Sequence, residues 1–314
     1  MNKGGLWFPE SATDLAAQWG GLYYFILWGS ILLFAAIVAT VIYFLFKYRR
    51  TPTNPAAHKQ VIHNFYLEVI WTTIPTILVM FIFYWGYTDY LKMSIPPENA
   101  LDIRVTGRQW AWQFEYPQGL KTLNEMVVPV NVPIRLVMTS TDVLHSFYIP
   151  NFRVKRDLVP NRYTRMWFEP NRLGQFQVFC AEYCGDSHSN MLATVKVVSY
   201  DDYEKWLKTG SSEADKGIPP AVLGEKLFAS KGCNACHSID GTTKIGPSWK
   251  GLYGAKREFV DGKSAMADDN YIRESMLDPK AKLVKGFQPL MTTFSGLLSD
   301  TEINAIIDYI KTLK

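Results

Sequence analysis

Two long apolar segments near the N-terminus dominate the hydropathy pattern of this chain. Residues 22–46 contain no Asp, Glu, Lys or Arg, and a helix of that length spans a bilayer. A second apolar segment, residues 67–90, contains Pro75, which membrane helices tolerate. The pattern predicts a transmembrane helical hairpin. A cleaved signal peptide is disfavoured, because its charges would precede a shorter apolar core.

The charges around the hairpin indicate its orientation. Lys47, Arg49, Arg50 and Lys59 lie between the two apolar segments. Because basic residues favour the cytoplasmic side, we expect this loop inside the cell and both ends of the chain outside.

The next part of the chain, residues 92–200, has the texture of a β-domain. Apolar residues alternate with polar ones at Ile134, Leu136 and Met138 and again from Phe176 to Cys180, which is the period of half-buried strands. Several such runs, broken by Pro and Gly, predict an antiparallel sandwich or barrel.

The last part of the chain has a helical pattern. A short helix over 201–208 and a Gly-, Ser- and Pro-rich segment precede it, and such segments are typical of linkers. A helix is expected over 270–277, and a final helix capped at Ser299 or Asp300. The predicted units are therefore 1–91 (tail and hairpin), 92–200 (β-domain), 201–219 (linker) and 220–314 (helical domain).

Composition excludes one class of partner. The net charge is only +4 and the chain has no basic, aromatic-interleaved stripe, so nucleic-acid binding is not expected. Four cysteines in 314 residues do not form a disulfide framework. They occur as two close pairs, which favours roles as metal ligands or attachment points.

The first cysteine pair belongs to a loop rich in soft ligands. Cys180 and Cys184 are followed by His188 and Met191, and thiolate, imidazole and thioether together favour copper. Of the five histidines, two lie between the apolar segments and one belongs to the motif described next, which leaves His145 as the second imidazole. A Cys180–Cys184 disulfide or a zinc site are the alternatives.

The second pair forms the sequence C-x-x-C-H, from Cys233 through Cys236 to His237. This pattern is typical of covalent haem c attachment, with His237 as one axial ligand of the iron. A redox C-x-x-C is disfavoured, since no thioredoxin-like βαβ pattern surrounds it. No histidine follows His237, so the other axial ligand is expected to be a methionine: Met266, Met276 or Met291.

The loop from Cys180 to Met191, with His145-Ser146-Phe147 before it and two membrane helices further upstream, resembles subunit II of the haem-copper cytochrome c oxidases. The resemblance implies a cupredoxin-like all-β sandwich that holds the binuclear copper A centre. It implies that Cys180 and Cys184 bridge the two coppers, and that each copper is also bound by a histidine, His145 or His188. Met191 and the backbone carbonyl of Glu182 complete the site, and the Glu182 side chain helps to hold magnesium or manganese against the catalytic subunit.

Two further residues match this family. Trp110, within Gly107–Tyr116, corresponds to the tryptophan where electrons enter copper A. Glu68 corresponds to a carboxylate at the mouth of a proton-uptake channel. Burial in the sandwich core would explain Trp110 and Trp112 equally well, and Glu68 would equally suit an interfacial charge.

The C-terminal domain resembles the class I cytochromes c, which are all-α. Ile245–Gly254 is similar to their G-P-x-x-x-G-x-x-G segment, in which the proline carbonyl, here that of Pro247, orients the proximal histidine. The family places its methionine ligand just before the last helix, which implies Met291, although Thr292 stands where proline is usual.

Together the resemblances imply the subunit through which electrons enter a proton-pumping cytochrome c oxidase. Electrons would pass from haem c to copper A and then to the haem of subunit I, where dioxygen is reduced to water. The implied partners are subunit I, other oxidase subunits and an upstream donor such as a cytochrome c or a quinol-oxidising complex. The implied location is the bacterial plasma membrane, with the soluble domains on the periplasmic side. A subunit of a copper-A nitric oxide reductase and a membrane-tethered copper-delivery protein are the alternatives.

Overall fold

The computed structural model describes residues 5, 7–52, 55, 62–209 and 217–314. Lys59, which contributes to the predicted orientation, and residues 210–216 of the predicted linker lie outside the described residues.

The chain begins with the expected hairpin of two long helices, α1 (Asp14–Lys47) and α2 (Phe65–Ser94). The side chain of Thr13 caps α1, and Asn64 caps α2. By length and composition, both helices suffice to cross a membrane. Each is longer than its apolar segment, because its outer end continues to the β-domain, where Ala16 of α1 is buried.

The β-domain is a sandwich of two five-stranded sheets, with strand orders β3-β2-β1-β5-β8 and β4-β10-β9-β6-β7. The strands are β1 (Leu101–Arg108), β2 (Ala111–Glu115), β3 (Lys121–Leu123), β4 (Glu125–Pro129), β5 (Ile134–Ser140), β6 (His145–Ile149), β7 (Val154–Leu158), β8 (Thr164–Phe168), β9 (Gly174–Cys180) and β10 (Leu192–Val198). Alternate residues of both sheets fill the core, among them Trp112, Phe147 and Val195.

The expectation of an antiparallel sandwich is wrong for two strand pairs. β1 runs parallel to β5, and β4 runs parallel to β10. In each case the intervening chain passes through the other sheet before it returns. A period of two in the sequence indicates which face of a strand is buried, but not the direction of its neighbour.

The sandwich is joined to the hairpin by backbone contacts as well as by the chain itself. The amide of Ala12 donates to the carbonyl of Asn151 (3.0 Å), and the amide of Asn171 donates to the carbonyl of Ala12 (3.0 Å). On the α2 side, the indole of Trp167 donates to the carbonyl of Lys92 (3.1 Å). The sandwich is thus held against the outer ends of both helices.

After β10 the chain forms α3 (Tyr200–Thr209), which covers the predicted short helix. Tyr203 and Trp206 of α3 are buried in the core of the sandwich. The first part of the predicted linker therefore packs on the β-domain.

The C-terminal domain contains α4 (Pro220–Ser230), α5 (Asp269–Leu277) and α6 (Asp300–Thr312). Ser299 caps α6 in a capping box with Glu302, as expected. Ile303, Ile306 and Ile310 face a core shared with α4 and α5. A short hairpin of β11 (Lys256–Glu258) and β12 (Ser264–Met266) was not predicted.

Candidate metal centres and the contact between them

Neighbouring strands bring the first set of predicted metal ligands together. His145 is the first residue of β6 and Cys180 is the last residue of β9. These strands pair antiparallel, with Phe147 opposite Cys180, so both residues lie at the same end of the sheet. The loop from Cys180 to β10 then folds back over this end.

All six predicted copper-ligand atoms meet in this loop. Sγ of Cys180 lies 3.7 Å from Sγ of Cys184, 3.2 Å from the carbonyl oxygen of Glu182 and 4.0 Å from Nδ1 of His145. Sγ of Cys184 lies 3.4 Å from Nδ1 of His188 and 3.7 Å from Sδ of Met191. Both cysteines are free, so the disulfide alternative is not formed.

The donor atoms suit copper. Two thiolates, two imidazoles and a thioether form a soft set, and a thioether is unusual around structural zinc. His145, Cys184 and Met191 are almost completely buried, so water has little access to this side of the site. The residues present therefore fit a copper centre.

Asp142 determines how His145 faces the cysteines. Its Oδ1 lies 2.8 Å from Nε2 of His145, which leaves Nδ1 towards the thiols. Asp142 is itself held by the backbone amides of Gln109 and Val143. Burial lowers the pKa of His145, but its hydrogen bonds with Asp142 and Cys180 outweigh burial and raise this pKa above its ordinary value. The carboxylate thus fixes the ring, as such partners do around bound metals.

The hydrogen bond between the two thiols shifts their pKa values in opposite directions. The hydrogen bond with Cys184 is the largest reason why the pKa of Cys180 lies far below its ordinary value. The same bond raises the pKa of Cys184. A thiolate is the form that binds metal, so Cys180 is prepared for a cation.

The second set of residues surrounds a cavity in the C-terminal domain. Cys233, Cys236, His237 and Met291 all line it. Nδ1 of His237 lies 2.7 Å from the carbonyl oxygen of Pro247, which leaves Nε2 for a ligand. Burial lowers the pKa of His237 and so favours the neutral imidazole that binds iron.

The three methionine candidates differ in position. Met291, in the loop before α6, and Met276, in α5, both line the cavity. Met276 is also part of the buried core. Met266 lies on β12 with 54% of its surface exposed, outside the residues that line the cavity.

The cavity also has features that fit a haem. Arg257 lines it, and the buried Nε of Arg257 has no hydrogen-bond partner among the described residues. Buried polar groups are normally paired, so this nitrogen is suited to bind an anion such as a haem propionate. A Cβ at Gly246 would lie 2.7 Å from Cε1 of His237. Only glycine therefore allows the backbone to approach the ring this closely.

The two candidate centres are in contact. Trp110 and Gln109 of the sandwich line the same cavity as His237. Their side chains also donate to the carbonyl of Cys184, Trp110 at 3.2 Å and Gln109 at 2.8 Å. Trp110 therefore lies between the loop from Cys180 to Met191, the proposed copper loop, and the cavity lined by Cys233, Cys236 and His237, the proposed haem cavity. Trp112 packs in the core against Phe147 and has no such position.

Glu68 lies in the first turn of α2, where its carboxylate is 2.7 Å from Nδ1 of His63. It also accepts a hydrogen bond from the amide of Asn64. These contacts suit a residue that stabilises the start of the helix, and they place Glu68 at the end of α2 remote from the sandwich.

Four residues of these sites were not predicted as functional: Gln109, Asp142, Ser187 and Arg257. Asp142 precedes His145 by three residues. Gln109 adjoins Trp110, and Ser187 adjoins His188. Proximity to a predicted site residue was therefore the available signal for these three, although it does not indicate that Ser187 donates to the carbonyl of Ala235. For Arg257 the sequence contains no comparable signal.

Comparison with known proteins bears on the whole chain. Residues 1–87 match the family described as cytochrome c oxidase subunit II, transmembrane domain, and residues 118–198 match its periplasmic domain. Residues 221–314 match cytochrome c. Cytochrome c oxidase subunit 2 of Alkalihalophilus pseudofirmus is 31% identical over 293 residues, which cover 89% of this chain and 84% of the relative. This chain belongs to the cytochrome c oxidase subunit II family.

A second relative agrees with this assignment. Cytochrome c oxidase subunit 2 of Bacillus subtilis is 29% identical, over 87% of this chain and 82% of that protein. The crystal structure of the periplasmic domain of subunit II of cytochrome oxidase from Bradyrhizobium japonicum is 35% identical and covers 37% of this chain and 96% of that chain, with a TM-score of 0.36.

Membership of this family confirms several expectations. The chain is a membrane protein with two apolar helices, a cupredoxin-like sandwich and a C-terminal cytochrome c domain. It is a subunit of an oxidoreductase complex that contains other oxidase subunits. Its domains imply copper and haem c as cofactors.

Proposed function

We propose that this oxidase subunit II receives electrons at haem c in its own cytochrome domain and passes them through copper A to the haem of subunit I. Subunit I would reduce dioxygen to water and couple this to proton pumping. One observation carries the proposal: the copper loop and the haem cavity share a wall, and Trp110 belongs to both.

The proposed copper ligands each have a distinct task. Cys180 and Cys184 would bridge two coppers, while His145 and His188 would each bind one. Met191 and the carbonyl of Glu182 would complete the coordination spheres. When bound, such a centre accepts and releases single electrons. The largely buried ligands limit the movement of the loop and the access of water.

The Glu182 side chain has a separate proposed role. It is exposed, although its carbonyl faces the thiols. We propose that its carboxylate meets subunit I and binds magnesium or manganese there, since these ions prefer oxygen ligands.

In the cytochrome domain, Cys233 and Cys236 would carry the haem through thioether bonds, and His237 and Met291 would bind the iron. Pro247 holds the histidine ring in place. Methionine–histidine ligation raises the potential of a haem, which suits a donor to copper. Arg257 would bind a propionate with its unpaired Nε, because a guanidinium pairs well with a carboxylate.

The proposed location is a bacterial plasma membrane, with the hairpin loop inside and both soluble domains on the periplasmic side. Lys47, Arg49 and Arg50 support this orientation. Glu68 would then lie at the cytoplasmic end of α2, where a carboxylate could collect protons for a channel in subunit I. The functional units would be 1–91, 92–200, 201–219 and 220–314.

Counting the metals tests the proposed cofactors. The full-length chain, matured with copper and haem, is expected to contain two coppers for each haem. Its electron paramagnetic resonance spectrum should show one electron shared by both coppers. The variant Cys184→Ser should lose this signal, and Ser189→Ala, at an exposed position of the same loop, should keep it. One copper per haem, or zinc in its place, would contradict the proposal.

A second experiment tests the path. In the assembled complex, Trp110→Phe removes the hydrogen bond to Cys184 and part of the ring between the two sites. Electron transfer from haem c to copper should slow several-fold, while the copper and haem spectra stay unchanged. Dioxygen consumption should fall together with this transfer rate.

The substrate of the complex tests the reductase alternative. Nitric oxide consumption without dioxygen consumption by the unaltered complex would favour that alternative.

A further inference from the structure

The loop that holds copper and the loop that carries the haem are joined by a buried hydrogen bond. Oγ of Ser187 donates to the carbonyl of Ala235 at 2.8 Å, and only 3% of the surface of each residue is exposed. Ser187 directly precedes the proposed copper ligand His188, and Ala235 directly precedes the haem-attachment residue Cys236. The bond therefore joins the two candidate centres, and each of its two residues is the neighbour in sequence of a proposed site residue.

A second close contact lies on the same face. A Cβ at Gly232 would lie 2.7 Å from Nδ2 of Asn124. The Asn124 side chain cannot easily move aside, because its Oδ1 accepts a hydrogen bond from the amide of Trp112 (2.8 Å) and the residue is almost completely buried. Gly232 thus allows the start of the haem loop to lie directly against the sandwich.

Apolar packing fills the space beside these contacts. Cys236 and Ile245 of the cytochrome domain pack against the core cluster of the sandwich. Gln109, Trp110, Ala111 and Leu123 of the sandwich face the cavity from the other side. Among the described contacts of this face, those that join the two domains involve no charged side chain.

We infer that this contact is a specific interface that holds the cytochrome domain on the copper loop for electron transfer. We call it the docking face; it consists of Ser187, Asn124, Gly232, Ala235, Cys236 and Ile245. Ser187 and Gly232 are its positioning residues. The inference rests on the proposed function, because it names the contact through which haem c and copper A would exchange an electron. Ser187 and Asn124 form the sandwich side of this face, and its occupant is this chain's own cytochrome domain. Among the described residues, the two sides are held together by close fit, by apolar packing and by the buried hydrogen bond from Ser187.

The docking face predicts the effect of two substitutions, one on each side. Ser187→Ala leaves the buried carbonyl of Ala235 without its donor, which should shift the equilibrium towards the undocked form about two- to tenfold. Gly232→Ala places a methyl group against Asn124 and should shift this equilibrium further towards the undocked form. Ser189→Ala, exposed on the same loop, is the control for the first. Gly262→Ala is the control for the second, because Gly262 has nearly the same φ (+81° against +77°) and open space around it.

The measurements use the full-length chain loaded with copper and haem. Photochemical reduction of the haem, followed by its re-oxidation, gives the rate of transfer to copper. Hydrogen exchange of the amides in 186–190 and 232–237 reports docking without reference to activity. Ser187→Ala and Gly232→Ala should slow the transfer and accelerate the exchange, whereas the two controls should behave like the unaltered chain.

Unchanged transfer rates and exchange in both variants, with intact copper and haem spectra, would overturn the docking face. Equal changes of transfer rate and hydrogen exchange in Gly232→Ala and Gly262→Ala would also overturn it, because backbone strain at a positive φ would then explain both variants. Failure of the proposed function looks different, since the unaltered chain would itself lack the shared-electron copper signal. If Ser187→Ala loses copper, Gly232→Ala still tests the docking face, because Gly232 lies in the cytochrome domain, away from the proposed copper ligands.

Discussion

The carboxylate of Asp142 lies 2.8 Å from Nε2 of His145 and leaves the opposite ring nitrogen facing the thiol of Cys180. The carboxylate therefore selects the tautomer with its proton on Nε2 and keeps Nδ1 free for a metal. A residue outside the ligand set thus determines which atom of a ligand is available.

Asp142→Asn should weaken copper binding. The amide cannot accept as strongly from Nε2, and in one of its two orientations it favours a proton on Nδ1, which opposes metal binding. Loss of such a partner reduces metal affinity roughly 10- to 100-fold. Retention of copper against a competing chelator measures this. Asp186→Asn, at an exposed position of the loop, should retain copper like the unaltered chain, and equal retention in both variants would contradict the role of Asp142.

Met291 and Met276 both line the haem cavity, and substitution separates them. Met291→Leu should remove the sulfur ligand, change the low-spin haem spectrum and lower the midpoint potential by about 0.1 V or more, within the range that axial ligands control. Met276→Leu conserves volume in the core and should lower the free energy of unfolding by less than about 1.5 kcal/mol. Its haem spectrum should stay unchanged. The opposite pattern would identify Met276 as the ligand.

Salt should have little effect on electron transfer within the chain. The described contacts of the docking face are uncharged, and ions screen only interactions between charges. The rate of haem re-oxidation after photochemical reduction should therefore be similar at low and high ionic strength. A steep fall with salt would show that charged groups hold the two domains together.

The four cysteines should differ in reactivity before the cofactors are inserted. Burial raises the pKa of Cys233 to about 12 and that of Cys236 to about 11. The pKa of Cys180 is lowered, mainly by the hydrogen bond with Cys184. Because the thiolate is the nucleophile, a lowered pKa gives more thiolate at neutral pH and a raised pKa gives less.

In the metal-free, haem-free chain at pH 7, alkylation should therefore modify Cys180 before Cys233 and Cys236. Between pH 7 and 9 the rate at the attachment cysteines should rise about tenfold per pH unit, since this range lies below both of their pKa values. Mass spectrometry of peptides from the alkylated chain measures each site. Labelling of Cys233 as fast as that of Cys180 at pH 7 would contradict the expected difference.

Most of the candidate sites could be predicted from the sequence, because their proposed metal ligands are concentrated in short segments. Five of the six proposed copper-ligand atoms belong to residues 180–191, and the haem motif spans five residues. Chemistry that needs several soft donors within one loop leaves a pattern that few other requirements produce. The hairpin was readable for a similar reason, since a membrane span requires an unbroken apolar segment.

Other features depended on which distant segments meet. Nothing in the local pattern indicates that β1 lies parallel to β5, that α3 buries Trp206 in the sandwich, or that Arg257 faces the haem cavity. Ser187 resembles any loop serine until Ala235, 48 residues later, is packed against it.

The sequence by itself therefore determined the membrane hairpin, the two proposed ligand sets and the kinds of domain that contain them, because each depends on residues close together in the chain. Only the tertiary structure decided that the copper loop and the haem loop touch, and that Trp110, Ser187 and Gly232 lie between them. That contact arises from the packing of two separately folded cores, and packing depends on shape across the whole surface rather than on any local pattern.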